Sequence, residues 1–326
     1  MRALVAGTVS LDLFAPSISS TFARATVGST GANVAIRLAT KGWHVELVGL
    51  VGQDRPGQLV RDELDGWGVD TNRLVARPGI ETPIVYQVAR STGDPFLRRC
   101  PRCGRSQARH GFPTPDELTA ARVQPIELRA AVFDCGGQAE SMLLTEVVDR
   151  GALIWAELSA LANADPLANR VVSTAWVRKC SSEDEALLEQ FDGTAEGNSP
   201  LTIITLGEKG VRFRQAGNQN VWRYLNAAAL PGTPTDPIGA GDAFTASGLD
   251  AMLRLPAPTE PNLEQLDSTL RYALAEAALV VTKEGANGDL VRSPNTRAHE
   301  VPFACAKCAL LADGGQNTRL TPRGGR

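Results

Sequence analysis

The sequence has little of what marks several large protein classes. Aromatic residues make up only 5% of its 326 positions, too few for a platform that stacks single-stranded nucleic acid. Basic residues do not dominate. There are 33 Lys and Arg against 36 Asp and Glu, a net charge of −3, which excludes a globally basic nucleic-acid binder but not a local basic patch. No apolar run reaches the roughly 18–20 residues of a membrane span. The apolar N-terminus offers one Arg, Arg2, and is interrupted by Asp12, so it reads as a first β-strand rather than a secretory signal. These absences point to a cytoplasmic protein with no membrane partner. Histidine is scarce, and His44 reads as structural. Six cysteines are too few for a secreted disulfide scaffold in a chain of this length.

What is present is alternation. Strands are predicted over 3–6, 45–51, 130–134, 153–156, 175–177, 201–206 and 211–215. Helices are predicted over 32–39, 57–64, 141–149, 183–190, 240–253 and 269–282. Alternation of this kind implies a mainly parallel sheet covered on both faces, an α/β three-layer α/β/α sandwich. Residues 83–89 and 95–97 flank the turn Ser91-Thr92-Gly93-Asp94 and predict a hairpin, which suits a small β lid. There is no internal repeat. The expected organisation is one domain over 1–308, with the lid hairpin and a Cys-rich segment inserted at about 80–112, and a loose polar tail over 309–326.

The strongest motif is Asp236-Pro237-Ile238-Gly239-Ala240-Gly241-Asp242 at the head of an apolar helical run. A glycine-rich turn opening a helix presents unpaired backbone N–H groups at the positive end of the dipole, a site suited to phosphate. An Asp there is placed to accept a proton from an attacking hydroxyl. The plainer alternative is a left-handed turn with Asp242 as a helix cap. A second motif, Gly28-Ser29-Thr30-Gly31-Ala32-Asn33, opens another helix. Its small residues allow close approach of a ligand, and Asn33 offers both a donor and an acceptor to hydroxyls. The alternative is a loop with an exposed Asn.

Together these segments resemble the ribokinase-like, or PfkB, family of sugar and nucleoside kinases. The resemblance extends over about residues 1–295. Gly28–Asn33 is followed by Gly52-Gln53-Asp54-Arg55-Pro56-Gly57 and Gly68-Val69-Asp70. Thr205-Leu206-Gly207-Glu208-Lys209-Gly210 is similar to the family's nucleotide segment, and Lys283-Glu284-Gly285-Ala286 to its loop near the adenine. The resemblance implies an ATP- and Mg²⁺-dependent phosphotransferase acting on a hydroxyl of a sugar, nucleoside or related small molecule. It implies that Asp242 is the base and that the backbone of Gly239, Ala240, Gly241 and Asp242 forms the anion hole. It further implies that Asp12, Gly28, Gly31 and Asn33 line the substrate pocket, and that Thr205, Gly207, Gly210 and Gly285 serve the nucleotide. The hairpin near 83–99 would close over the substrate, and a K⁺ site near the last motif and a homodimer through the lid are also implied. Four positions depart from the family pattern. Ser29 replaces a glycine and Pro237 a threonine. Cys180-Ser181-Ser182-Glu183 keeps only the Glu of the Mg²⁺-organising motif, and Glu157-Leu158-Ser159 stands where an Asp-Pro-Asn is usual.

The cysteines form a separate signal. Cys100-Pro101-Arg102-Cys103-Gly104 has the form of a zinc knuckle, and Cys305-Ala306-Lys307-Cys308 offers a second thiol pair. Four thiolates would make a closed structural Zn²⁺ site. The pairs stand roughly 200 residues apart against a usual ribbon spacing of about 15–20, so only the fold can join them. The alternatives are two unrelated turns or redox-active dithiols. Cys135 reads as a small buried residue. Arg98, Arg99, Arg102, Arg105, Arg109 and His110 surround the first knuckle. They form either a solvated loop or a contact for an anion or nucleic acid. This keeps a second function open, a zinc-stabilised nucleic-acid or partner-binding protein that retains the kinase fold without turnover.

Overall fold

A computed structural model describes residues 1–88, 96–97, 99–120, 127–134, 138–158, 166–186, 188, 200–216, 221–291 and 299–309. The chain opens with β1 (Arg2–Ala6), β2 (Ser10–Ala15), β3 (Phe22–Gly28), α1 (Thr30–Thr40), β4 (His44–Gly52), α2 (Arg55–Gly66) and β5 (Leu74–Arg77). It continues through β6 (Ile84–Val88), β7 (Phe96–Leu97), α3 (Pro115–Ala120), β8 (Ala130–Phe133), α4 (Gln138–Asp149), β9 (Leu153–Glu157) and α5 (Pro166–Thr174). It closes with β10 (Val177–Ser181), β11 (Leu201–Thr205), β12 (Val211–Gln215), β13 (Arg223–Leu225), α6 (Ala240–Leu253), α7 (Leu263–Val281) and β14 (His299–Pro302).

Nine strands form the main sheet in the order β13-β12-β11-β10-β9-β8-β1-β4-β5. Those from β11 through β5 run parallel, and β12 and β13 extend one edge antiparallel. Successive strand residues point to opposite faces, so each interior strand feeds two cores. Ala3 and Val5 join Trp155, Phe244 and Leu270 on one side. Leu4 and Ala6 join Phe133, Leu143 and Val172 on the other. This is the expected three-layer sandwich.

The lid is larger than a hairpin. It is a second sheet in the order β14-β3-β2-β6-β7. The antiparallel pairing of β6 with β7 is as predicted, while the turn at 91–94 lies outside the described residues. Ser10, Asp12 and Phe14 on β2 and Gln87 on β6 face forward. The alternating positions Leu11, Leu13, Ala15, Ala23, Ala25, Val27, Ile84 and Tyr86 face rearward and are all buried. Helix α2 packs against β2 and β3. Its buried Glu63 accepts the Val27 N–H at 2.8 Å and the Thr26 hydroxyl at 3.0 Å, which anchors the lid to the body.

Three local expectations shift. The strand predicted at 175–177 runs instead from Val177 to Ser181, where it pairs with both β9 and β11. The helix predicted over 183–190 begins as a 3-10 turn at Ser182–Asp184 and is helical at 185, 186 and 188, while 187, 189 and 190 lie outside the described residues. Helix α7 starts earlier than predicted because Asn262 and Gln265 form a reciprocal capping box. Cys135 and residues 310–326 also lie outside the described residues.

Candidate active site

The turn before α6 has the form the sequence suggested. Gly239 adopts φ 81°, and a Cβ there would sit 2.5 Å from the Ala286 Cα. Only glycine tolerates both conditions. Asp236 shapes the turn by accepting the Ile238 N–H and the Gly285 N–H, each at 3.0 Å. Ala240, Gly241 and Asp242 then form the first turn of α6 at the dipole's positive end. The Ala240 N–H is taken up by the Pro237 carbonyl at 3.2 Å, so of the expected anion-hole donors the N–H groups of Gly241 and Asp242 are the ones left to face outward. Asp242 makes no capping bond. Its carboxylate instead accepts from Asn33 Nδ2 at 2.7 Å, and Asn287 Nδ2 donates to Asn33 Oδ1 at 3.0 Å. Helix α1 therefore bonds the α6 carboxylate directly, and the loop after α7 holds the Asn33 amide that does so. Burial raises the Asp242 pKa above the usual carboxylate range, the Asn33 bond and Lys179 oppose the rise, and Glu157 adds to it.

Lys179 carries no signal in the sequence, and Glu157 stands out there only as a departure from the family pattern. Lys179 Nζ donates to Glu157 Oε2 at 2.7 Å, with both side chains buried. Glu157 Oε1 also accepts from Trp155 Nε1 at 2.9 Å and from the Thr245 hydroxyl. The ammonium lies 3.7 Å from where a Gly241 Cβ would be. A buried ion pair thus sits beside the glycine turn that opens α6. No local motif marks it, because its members come from separate strands.

The substrate-side residues meet on the front of the lid. Asp12 is 7% exposed. It accepts from Ser10 Oγ at 2.7 Å and from Gln87 Nε2 at 2.8 Å. Burial pushes its pKa up to about 7, against those two hydrogen bonds, with Asp242 contributing repulsion. Gly28 makes room for it, since a Cβ there would lie 2.1 Å from the Asp12 Cγ. Gly31 allows α1 to approach Gly7, where a Cβ would meet backbone at 2.7 Å. Asp12, Arg24, Thr26 and Gln87 line a cavity of about 290 Å³ closed on its far side by Gly285 and Asn287. Arg24 bridges the two sides by pairing with Glu284 at 3.1 Å.

Ser29 and His110 extend this network. Ser29 occupies φ 71°, ψ 157°, and among the described residues it is the one non-glycine residue with positive φ. That conformation costs roughly 1–3 kcal/mol and tends to persist where function requires it. The Ser29 hydroxyl donates to Ser10 Oγ at 2.8 Å and lies 3.1 Å from His110 Nε2. His110, read in the sequence with the surrounding arginines, thus reaches the pocket through two serines.

The expected nucleotide residues do not form one cluster. Thr205 and Gly207 lie at the end of β11, where Thr205 bonds the Cys180 carbonyl at 3.3 Å. Gly210 adopts φ 99°, and a Cβ there would lie 2.1 Å from the Leu225 carbonyl, so the β11–β12 turn itself requires glycine. Gly285 lies at the cavity, bonded to Asp236. Glu183 is exposed at the end of β10.

The two cysteine pairs do meet. The sulfurs of Cys100, Cys103, Cys305 and Cys308 all lie within 4.8 Å of one another. Three of the arginines around them have structural partners. Arg99 donates to the Gly104 carbonyl at 3.0 Å, Arg102 to the Ser20 carbonyl at 2.7 Å, and Arg105 pairs with Glu81 at 2.6 Å. Arg98 lies outside the described residues.

Known proteins share this architecture. The model of the pfkB family carbohydrate kinases matches residues 18–118 and 168–292. Fructokinase-1 of Zea mays is 25% identical over 288 residues, covering 79% of this chain and 83% of its own. The structure of Vibrio cholerae fructokinase with fructose, ADP and calcium ion superimposes with a TM-score of 0.65 at 20% identity, covering 87% of this chain and 94% of that one. Aminoimidazole riboside kinase of Salmonella enterica, complexed with aminoimidazole riboside and an ATP analogue, gives 0.63 at 20% identity, covering 89% and 96%.

Proposed function

Since the chain belongs to the pfkB family of carbohydrate kinases, we propose that it transfers the γ-phosphoryl group of ATP to a sugar hydroxyl, with Asp242 as general base. A ketohexose such as fructose is the first substrate to test, because the curated relative is a fructokinase. The observation that carries the proposal is the Asn33 amide, itself held by Asn287, bonded to the Asp242 carboxylate beside a phosphate-shaped helix N-terminus.

The sugar occupies the cavity between the lid's front face and residues 284–288. Asp12 and Gln87 hold its hydroxyls, and Asn33 offers further polar contact near the reacting one. Asp242 accepts the proton of the attacking hydroxyl as its oxygen bonds to phosphorus. Its raised pKa makes it a stronger base than an ordinary surface carboxylate. Negative charge on the moving phosphoryl group is met by the N–H groups of Gly241 and Asp242 and by the Lys179 ammonium beneath them. ATP lies along the ends of β10 and β11, toward Thr205 and Gly207.

Mg²⁺, when bound with the nucleotide, neutralises phosphate charge, and the exposed Glu183 carboxylate is a hard oxygen donor of the type it takes. Both Asp236 oxygens are engaged by backbone N–H groups, so protein contacts help to shape the turn.

The deciding experiment is coupled-assay turnover with ATP and fructose for the native chain and Asp242→Asn. Native transfer with a fall of about 10²–10⁴-fold in kcat for the variant is expected. Equal turnover in both would remove Asp242 from the mechanism.

A further inference from the structure

We propose that Cys100, Cys103, Cys305 and Cys308 bind one Zn²⁺ as a closed tetrathiolate site, and that this ion ties together the two edges of the lid sheet from behind.

The sulfur geometry selects a metal over a disulfide. Cys103 Sγ and Cys305 Sγ are 3.7 Å apart. A disulfide needs about 2.05 Å. A tetrahedron with Zn–S bonds of about 2.3 Å has S···S edges of about 3.8 Å. All four sulfurs lie within 4.8 Å of one another, so they already enclose one ion-sized space.

The backbone around them is built for thiolates. The first knuckle closes through Cys100 N–H to Arg105 O at 2.8 Å and Gly104 N–H to Cys100 O at 2.9 Å, with Gly104 at φ 69°. The Cys305 N–H donates to Cys100 Sγ at 3.2 Å, an outer contact that stabilises sulfur-borne negative charge. Cys305 precedes a helical turn over 306–309 that carries Cys308 back toward the same point. Four soft thiolates in tetrahedral array favour zinc over the hard cations of phosphoryl transfer, and they leave no open position for a reacting water.

The placement gives the ion its consequence. Strands β7 and β14 are opposite edges of the lid sheet. Cys100 follows β7 by three residues, and Cys305 follows β14 by three. The chains leaving both edges therefore meet behind the sheet. There Tyr86 of β6 packs edge-to-face on Phe303 at 5.9 Å, with Cys100 and Cys305 in the same buried cluster. Tyr86 is the neighbour of Gln87, which holds Asp12 on the opposite face. The metal therefore braces the strands that shape the sugar pocket. The pocket consequence rests on the substrate reading above, whereas the metal site does not.

The test is metal content of the intact chain by mass spectrometry, for the native protein, Cys103→Ser and Cys308→Ser. One zinc per chain in the native protein and a several-fold loss in both variants is expected. Cobalt(II) replacement should give the intense visible absorption of tetrahedral thiolate coordination. Hydrogen exchange after chelation under reducing conditions reads the brace, with expected loss of protection in β6, β7 and β14 and little change in β8–β11. Zinc-free native protein, whether its thiols are free or disulfide-linked, overturns the site, as does equimolar iron. Zinc whose removal leaves lid exchange unchanged overturns the brace. All three readouts are independent of kinase turnover, so failure here and failure of the kinase reading are separable.

Discussion

At the scale of single residues, the site is governed by two carboxylates with different neighbours. Asp242 is raised by burial and lowered by its bond from Asn33. Asn33→Ala removes the largest lowering contact and leaves burial opposed only by the charges of Lys179 and Arg37. The acid limb of the kcat profile should then move to higher pH, with a reduced kcat at neutrality; an unmoved limb would mean that Asn33 does not tune the base. Asp12 titrates near 7. As a hydroxyl acceptor it must be ionised, so KM for the sugar should fall as pH rises through that value, and Asp12→Asn should abolish the dependence. The stability effect has the opposite sign. A carboxyl whose folded pKa is raised contributes stability at low pH, and the contribution is lost as pH rises through the folded value. Denaturant titrations at a series of pH values between about 4 and 8 should therefore show a shallower decline in Asp12→Asn than in the native chain.

At the scale of elements, the glycines that matter are those where two pieces of backbone meet. Gly239→Ala combines a left-handed backbone cost of roughly 1–2 kcal/mol with a collision against Ala286. It should lower the melting midpoint by several degrees and weaken nucleotide binding together, because the same turn positions both α6 and residues 284–288. A variant with unchanged melting and unchanged ATP affinity would show that the turn relaxes freely. The helix predicted from 240 to 253 coincides with α6, whose start is set by the Gly239 turn and whose end falls just before Pro256. Strands β2, β3 and β14 were not predicted. In β2, the acidic Asp12 breaks the apolar pattern because one face of the strand lines the cavity rather than the core. Function and local pattern conflict at that strand, which is where pattern reading fails.

At the scale of the whole molecule, the cavity is shared between the lid sheet and a loop of the body, so a bound ligand must link them. Sugar at 100 times its dissociation constant should stabilise the fold by about 2.7 kcal/mol. That gain should be visible as a rise in melting midpoint with fructose, and Gln87→Ala should reduce it while leaving the rise with ATP intact. An equal loss for both ligands would place Gln87 outside a dedicated sugar contact.

Much of this protein was determined by the sequence alone. The alternation of strands and helices specifies the sandwich because burial on two faces imposes a local and continuous pattern. The order of the glycine-rich motifs specifies the family because each encodes a local backbone shape. The tertiary structure decided what those shapes enclose. It brought Asn33 to Asp242 across 209 positions, Cys103 to Cys305 across 202, and Lys179 to Glu157 beneath the turn. It also revealed that the departure at Ser29 is a strained residue bonded into the pocket. Such contacts have no period along the chain. They exist because strand pairing and helix packing deliver distant side chains to one point.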